Sequence, residues 1–223
     1  MRGFSIITNF GCDTNCPYCV WKGHPLENCH DETDFDKLGY MLSFFPQEKV
    51  SVSGGGDPLY NMRDHMRWWL ELAMLCHRYN KLLDVHTSQL LDENQFCCYP
   101  KRSIFNKYVL HLTSDRFHQL FEQGTFANFP TKLRLVFVVN NQLSLFDAKR
   151  IVTKVQEIGC ELSFREHYPN SPSLELKNVA IENYVQELKN DKVKFVWQGD
   201  YNLYYMPDNK VYTDFFCKQG NIL

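Results

Sequence analysis

Cys12, Cys16 and Cys19 crowd into eight residues of the stretch "FGCDTNCPYC", near the start of a 223-residue chain. Thiols at that spacing have three chemical uses. A structural zinc ion takes Cys16 and Cys19 as a close pair and completes a tetrahedron from His24, Cys29 or His30. A thiol-disulfide centre uses the Cys16-x-x-Cys19 pair alone, with Pro17 inside it, and leaves Cys12 without a task. A four-iron cluster uses all three thiolates and leaves one iron without a protein ligand. Spacing alone leaves all three open.

A second stretch, "SVSGGGDPLY", places Gly54, Gly55 and Gly56 directly after an apolar strand pattern, followed by Asp57 and Pro58. A tight turn with positive φ needs one or two glycines. The third points to close approach of backbone to a ligand. The run lacks the spacing of a dinucleotide fingerprint and the Lys-Ser/Thr ending of a P-loop. An acidic residue behind the glycines suits an ammonium group better than a phosphate.

Taken together, Cys12-x3-Cys16-x2-Cys19 with Tyr18 before the last cysteine, and then "GGGDP", resemble the signature of the radical S-adenosylmethionine (radical SAM) enzymes and their Gly-Gly-Glu-Pro motif. The resemblance implies a [4Fe-4S] cluster on Cys12, Cys16 and Cys19, with S-adenosylmethionine chelating the open iron. It implies reductive cleavage to methionine and a 5′-deoxyadenosyl radical that abstracts hydrogen from a substrate. Tyr18 would lie by the adenine, and Gly54, Gly55, Gly56 and Asp57 would receive the methionine amino group. Asp57 stands where the family usually has Glu, one methylene longer. Ser114 and Arg116 in "LTSDRF" would meet the cofactor's ribose or carboxylate, and a flavodoxin or ferredoxin would supply the electron.

These residues need a scaffold. Short apolar runs alternate with helical patterns along the chain, the rhythm of β-α units around a mostly parallel sheet. "GFSIITN", "EKVSVSGGGDP", "KLLDVHTS", "KYVLHLTS", "KLRLVFVVNN" and "CELSFREHY" are the strand candidates. Thr33 or Asp34 caps a first helix, and Met62, Met66, Trp69, Ala73 and Cys76 form the apolar stripe of a second. Gly159 ends a helix over "LFDAKRIVTKVQEIG". After a helix around "AIENYVQELKN" and a run "KVKFVWQ", "YNLYYMPDNKVYTDF" reads as two strands about a turn at Pro207, Asp208 and Asn209.

The fold class is therefore α/β, which the family resemblance makes a partial (β/α)6 TIM-like barrel. Residues 1–168 would be the barrel core, and 169–223 a helix and β-hairpin extension covering one end of it within the same structural domain.

Strand carboxyl ends carry the chemistry of such barrels. They nominate His86, Thr87 and Ser88, then Asn140 and Asn141, then Arg165, Glu166 and His167, as substrate contacts. Arg165 suits a substrate carboxylate or phosphate.

Composition narrows the partners. A formal charge of -2 and a pI near 6.4 give no global field toward nucleic acid or anionic membrane, leaving room only for a local basic groove. No apolar stretch approaches membrane-spanning length, so a soluble, cytoplasmic protein is expected. Nine cysteines, an odd number, in a chain this long point to reduced thiols. Cys217 follows the hairpin as in the subset of the family that adds a second iron-sulfur domain, and adjacent Cys97 and Cys98 are awkward ligands for one cluster, so a single cluster is expected.

The resemblance favours a nucleotide, nucleobase or small polar substrate, with Trp197, Tyr201 and Tyr204 among the aromatic residues of a lid or base-stacking surface. The alternatives are peptide or protein modification, glycyl-radical enzyme activation, and a zinc-binding module without catalysis.

Overall fold

The structure is a computed structural model that describes residues 3–30, 32–90, 104–127, 129, 132–167, 171–197 and 202–218. Cys97, Cys98 and Tyr201, named above, lie outside the described residues. Strands β1 (Gly3–Gly11), β2 (Lys49–Gly56), β3 (Leu82–Thr87), β4 (Lys107–His111), β5 (Lys132–Val139) and β6 (Glu161–Glu166) match the six strand candidates. Helices α1 (Phe35–Phe44), α2 (Met66–Arg78), α3 (Ser114–Glu122), α4 (Leu145–Ile158) and α5 (Pro172–Glu187) alternate with them. Strands β7 (Val193–Val196), β8 (Asn202–Tyr205) and β9 (Val211–Tyr212) complete a nine-stranded sheet ordered β7-β6-β5-β4-β3-β2-β1-β8-β9. β1 pairs in parallel with β2 and β8, β2 with β3, β5 with β6 and β6 with β7, whereas β8 and β9 are antiparallel. Among the described residues, no helix is long and apolar enough to cross a membrane.

The chain divides into two compact units, residues 1–108 with 200–223, and residues 109–199. In the first, β1 is flanked by β2 and β8 and its middle is buried on both faces, as expected of an interior parallel strand. Phe4 turns one way onto Phe45, ring centroids 5.0 Å apart, while Ser5 turns the other and meets Ser51 Oγ at 2.8 Å. Asp34 caps α1 by accepting from the Lys37 N–H at 2.9 Å; Thr33 instead accepts from the Trp68 indole at 2.7 Å.

The expected stripe on α2 is corrected. Residues 61–65 form turns, with Asn61 in the left-handed region, so Met62 precedes the helix. The buried face is Trp68, Trp69, Leu72 and Cys76: Trp69 and Cys76 lie on it as expected, while Trp68 and Leu72 displace Met66 and Ala73 because an indole and a leucine bury more apolar surface than a methionine and a methyl.

The terminal hairpin forms about the expected turn, but its place differs: β8 adds to the sheet beside β1. Asn209 has φ of +59°, and its side-chain oxygen accepts from the Asp34 N–H at 2.8 Å and the Tyr205 hydroxyl at 2.9 Å. Its amide donates to the Glu32 carbonyl at 2.7 Å. The turn thereby pins the segment leading into α1.

In the second unit, Phe137 packs against Phe164 of the neighbouring strand and Phe117 of α3, all three buried. Ser144 and Asp147 close a reciprocal capping box on α4, and Gly159 ends it at φ of +76°.

Candidate functional site

The cysteine loop leaves β1 at Gly11, whose φ of +92° turns the chain after a register shift between Thr8 and Gly11. Cys16 to Cys19 is a tight turn closed by the Cys19 N–H on the Cys16 carbonyl at 3.2 Å, with Pro17 at the second position, where its fixed φ fits. Tyr18, half-buried, is the third residue of this turn. Cys12 and Cys19 are exposed and Cys16 is half-buried. The Thr14 N–H donates to Cys12 Sγ at 3.3 Å.

Three cysteine thiols on one loop are a soft donor set of the kind an iron-sulfur cluster takes. Among the described residues, no three His, Cys, Asp or Glu side chains are already drawn to metal-ligand spacing. The residues fit the group by donor chemistry and by their common loop.

His24 is committed elsewhere, which removes it from the zinc alternative. The Leu26 N–H donates to Nδ1 at 3.1 Å, so Nε2 carries the proton and donates to the Phe215 carbonyl at 2.6 Å. The ring stacks on Trp21 at 4.2 Å, and burial holds its pKa below the usual value despite the Phe215 bond and the nearby Asp214 and Glu27 charges. His24 is a buried strut fastening the segment after β9 to the end of the cysteine loop.

The glycine turn is shaped by its neighbours within the chain. A Cβ on Gly54 would stand 1.7 Å from the Gly56 carbonyl oxygen, and one on Gly55 would stand 2.3 Å from the Trp21 indole. Gly56, at φ of +86°, would put a Cβ 2.4 Å from the Gly11 carbonyl oxygen. Each glycine thus answers a close approach of chain to chain, so the run of three is explained without a ligand. Trp21 joins the two motifs: its ring lies under Gly55, and its N–H donates to Asn9 at 3.2 Å.

Asp57 is 3 % exposed, and both of its carboxylate oxygens are engaged. Oδ1 accepts from the Leu59 N–H at 2.9 Å and the Thr87 hydroxyl at 2.6 Å. Oδ2 accepts from the Ser88 N–H at 2.6 Å and its hydroxyl at 2.7 Å. Ser88 Oγ also lies 3.1 Å from Thr14 Oγ1, and Gln89 Nε2 donates to Asp13 at 3.2 Å. The end of β3 therefore bridges the glycine turn and the cysteine loop. Thr14, Thr87 and Gln89 escaped sequence reasoning as parts of one network; the readable signal was that β2 and β3 are parallel neighbours, which sets the residues after each side by side. His86 is the last half-buried side chain of β3 before this network.

In the second unit, Thr113 caps α3 by accepting from the Arg116 N–H, so Ser114 and Arg116 occupy the helix's first turn. Asn140 spends its side-chain oxygen on the Gln142 and Leu143 N–H groups at 2.8 and 3.2 Å, and Lys177 holds its carbonyl at 3.0 Å and that of Asn141 at 3.2 Å. That is a loop-closing role, which the sequence did not separate from substrate contact. Arg165 lies near enough to His111 for its charge to be felt. Burial, and then that charge, push the imidazole down to about 3. Burial likewise lowers His167, whose Nδ1 has no hydrogen-bond partner among the described residues. His111, unremarked in the sequence because it closes an apolar strand, joins Arg165 and His167 as a polar strand-end group.

No protein-family model matches the chain, and no curated protein does. Solved structures do. The crystal structure of SuiB from Streptococcus suis matches with a TM-score of 0.65 at 14 % identity, covering 99 % of this chain and 62 % of SuiB. SuiB bound to S-adenosylmethionine matches with the same TM-score and identity over 99 % of this chain and 63 % of that one. SuiB bound to the precursor peptide SuiA gives 0.63 and 14 %, over 99 % and 62 %. The chain thus shares a fold with SuiB and spans about three-fifths of its length.

Proposed function

We propose that this chain is a radical SAM enzyme. The observation carrying the proposal is that a loop with three cysteines and a triple-glycine turn meet at the ends of paired strands β1 and β2, in a fold similar to one solved with S-adenosylmethionine bound.

Cys12, Cys16 and Cys19 would hold a [4Fe-4S] cluster, which when bound supplies the electron that splits S-adenosylmethionine. The chain's own residues bind and orient. The backbone of Gly54 to Gly56, bare of side chains, offers carbonyl groups to the cofactor's amino group, and Tyr18 offers a ring face to its adenine. Ser114 and Arg116 are assigned to its ribose or carboxylate. Of the substrate candidates, Ser88 and Asn140 are engaged within the chain, which leaves His86, Arg165 and His167 for the substrate. Arg165 suits an anionic group, and His167, held neutral, accepts or donates one hydrogen bond without adding charge.

A nucleotide, nucleobase or small polar substrate is the first reading. Peptide modification is the second, favoured by one observation: a structural neighbour was solved with a precursor peptide.

Anaerobic reconstitution with iron and sulfide tests the proposal. About four irons per chain and release of 5′-deoxyadenosine from S-adenosylmethionine under a chemical reductant are expected. One zinc per chain with no iron uptake would make the protein a binding module instead. A Cys16→Ala variant that still cleaves the cofactor would remove the ligand assignment.

A further inference from the structure

Resting on the reading above, we propose that Asp57 is a positioning residue: it does not receive the cofactor's ammonium group but clamps the end of β3 to the glycine turn and, through Ser88 and Thr14, sets the cysteine loop at Cys12.

The argument is one of donors and acceptors. A carboxylate offers about four acceptor positions, two on each oxygen. Asp57 has two donors on Oδ1 and two on Oδ2, at 2.6 to 2.9 Å. An ammonium group would have to displace one of them from a residue that is only 3 % exposed. The shorter side chain is consistent with this: its backbone N–H is fixed to the Gly11 carbonyl at 2.8 Å, so the carboxylate is held back against the strand ends.

The proton order then follows. Ser88 spends its hydroxyl hydrogen on Asp57 at 2.7 Å, so in the 3.1 Å pair with Thr14 it is the acceptor and the Thr14 hydroxyl donates. Asp13 Oδ1, at 3.4 Å, is the longer alternative acceptor for that hydroxyl. With its side chain so held, Thr14 presents its backbone N–H to Cys12 Sγ at 3.3 Å. Four residues thus connect a buried carboxylate to the first thiol: Asp57, Ser88, Thr14 and Cys12. The Gln89 to Asp13 bond at 3.2 Å runs beside this chain, and Gln89 is itself fixed by its N–H on Thr87 Oγ1 at 2.9 Å.

Deuterium exchange on the metal-free full chain reads the clamp directly, and cofactor binding to the reconstituted protein reads the competing role. Ser88→Ala and Asp57→Asn are each expected to speed exchange across residues 11–20 about five-fold or more, while residues 66–78 of α2 keep their protection. Ser88→Thr, which retains the hydroxyl, is expected to restore slow exchange. In the Asp57→Asn/Ser88→Ala double variant the loop should exchange no faster than in the faster single variant, because both act on one chain of bonds.

The proposal is overturned if Asp57→Asn leaves exchange in residues 11–20 unchanged and weakens S-adenosylmethionine binding about ten-fold, which would make Asp57 the ammonium acceptor. It is also overturned if Ser88→Ala and Ser88→Thr behave alike. Should Asp57→Asn fail to fold, the two Ser88 variants decide alone. Should the protein take up no iron, the proposed function falls while the exchange result still decides the clamp.

Discussion

Ser88 gives Asp57 Oδ2 both of its donors, the backbone N–H at 2.6 Å and the hydroxyl at 2.7 Å. Two donors from one residue on one carboxylate oxygen fix the position and the rotamer of Ser88 together. Removing the hydroxyl leaves a buried carboxylate with three donors instead of four. Ser88→Ala is therefore expected to cost about 1–3 kcal/mol, the range for an unsatisfied buried acceptor, read as a lowered urea midpoint at unchanged slope.

Gly56 and Gly23 have similar φ, +86° and +77°, in different surroundings. A Cβ at Gly23 meets nothing within 4 Å, whereas at Gly56 it would stand 2.4 Å from the Gly11 carbonyl oxygen. Gly23→Ala should cost about 1–2 kcal/mol, the left-handed penalty alone. Gly56→Ala should cost at least about 2 kcal/mol more, since backbone cannot swing aside as a side chain does. Paired urea titrations check the difference.

His24 ties stability to pH. Its folded pKa lies below the ordinary value of 6.5, chiefly through burial, so the folded protein binds fewer protons there than the unfolded chain. Its stabilising contribution is complete above 6.5 and declines as pH falls below it, because the proton arriving at Nδ1 must displace the Leu26 N–H. Between pH 7 and 5 the protein should lose stability, and His24→Asn, which cannot take up that proton, should show a shallower loss. Urea midpoints at several pH values measure it.

The thiols should sort by reactivity. Burial pushes Cys76 up to about 12 and Cys160 up to about 11, so neither is a good nucleophile near neutrality. Cys12 and Cys19 are exposed. Brief iodoacetamide treatment of the native metal-free protein should label these two and spare Cys76 and Cys160. After iron loading, Cys12, Cys16 and Cys19 should become protected together. Peptide mass spectrometry reads the pattern, and protection of Cys16 and Cys19 without Cys12 would count against a three-cysteine ligand set.

Elements whose signals are local could be read from sequence. The strand ending in Gly56, the helix between Ser144 and Gly159 and the turn at Pro207 to Asn209 each carry their own boundary chemistry within a few residues. The buried face of α2 did not, because "MRWWLELAMLC" holds two overlapping apolar stripes and packing against the rest of the fold chooses between them. The site divides in the same way. Three thiols and three glycines are visible as spacing. The reason for Gly55 and Gly56 is the Trp21 ring and the Gly11 carbonyl, and two of the three residues that hold the Asp57 carboxylate, Thr87 and Ser88, lie some thirty residues on, at the end of a neighbouring strand. Neither leaves a mark in the local pattern.

The pairing of β1 with both β2 and β8 bears on how the chain is made. One edge of β1 finds its partner soon after synthesis; the other waits for residues such as Asn202, whose amide bonds Ser5 across 197 positions. Until then an apolar strand displays a row of unpaired backbone groups, a template for the wrong neighbour. Contacts so distant in sequence also slow folding. The nascent chain is thus most prone to aggregate in the interval after β7 is made and before β8 emerges, when β1 still lacks its second partner, and slowing synthesis over that interval should lower rather than raise the soluble yield.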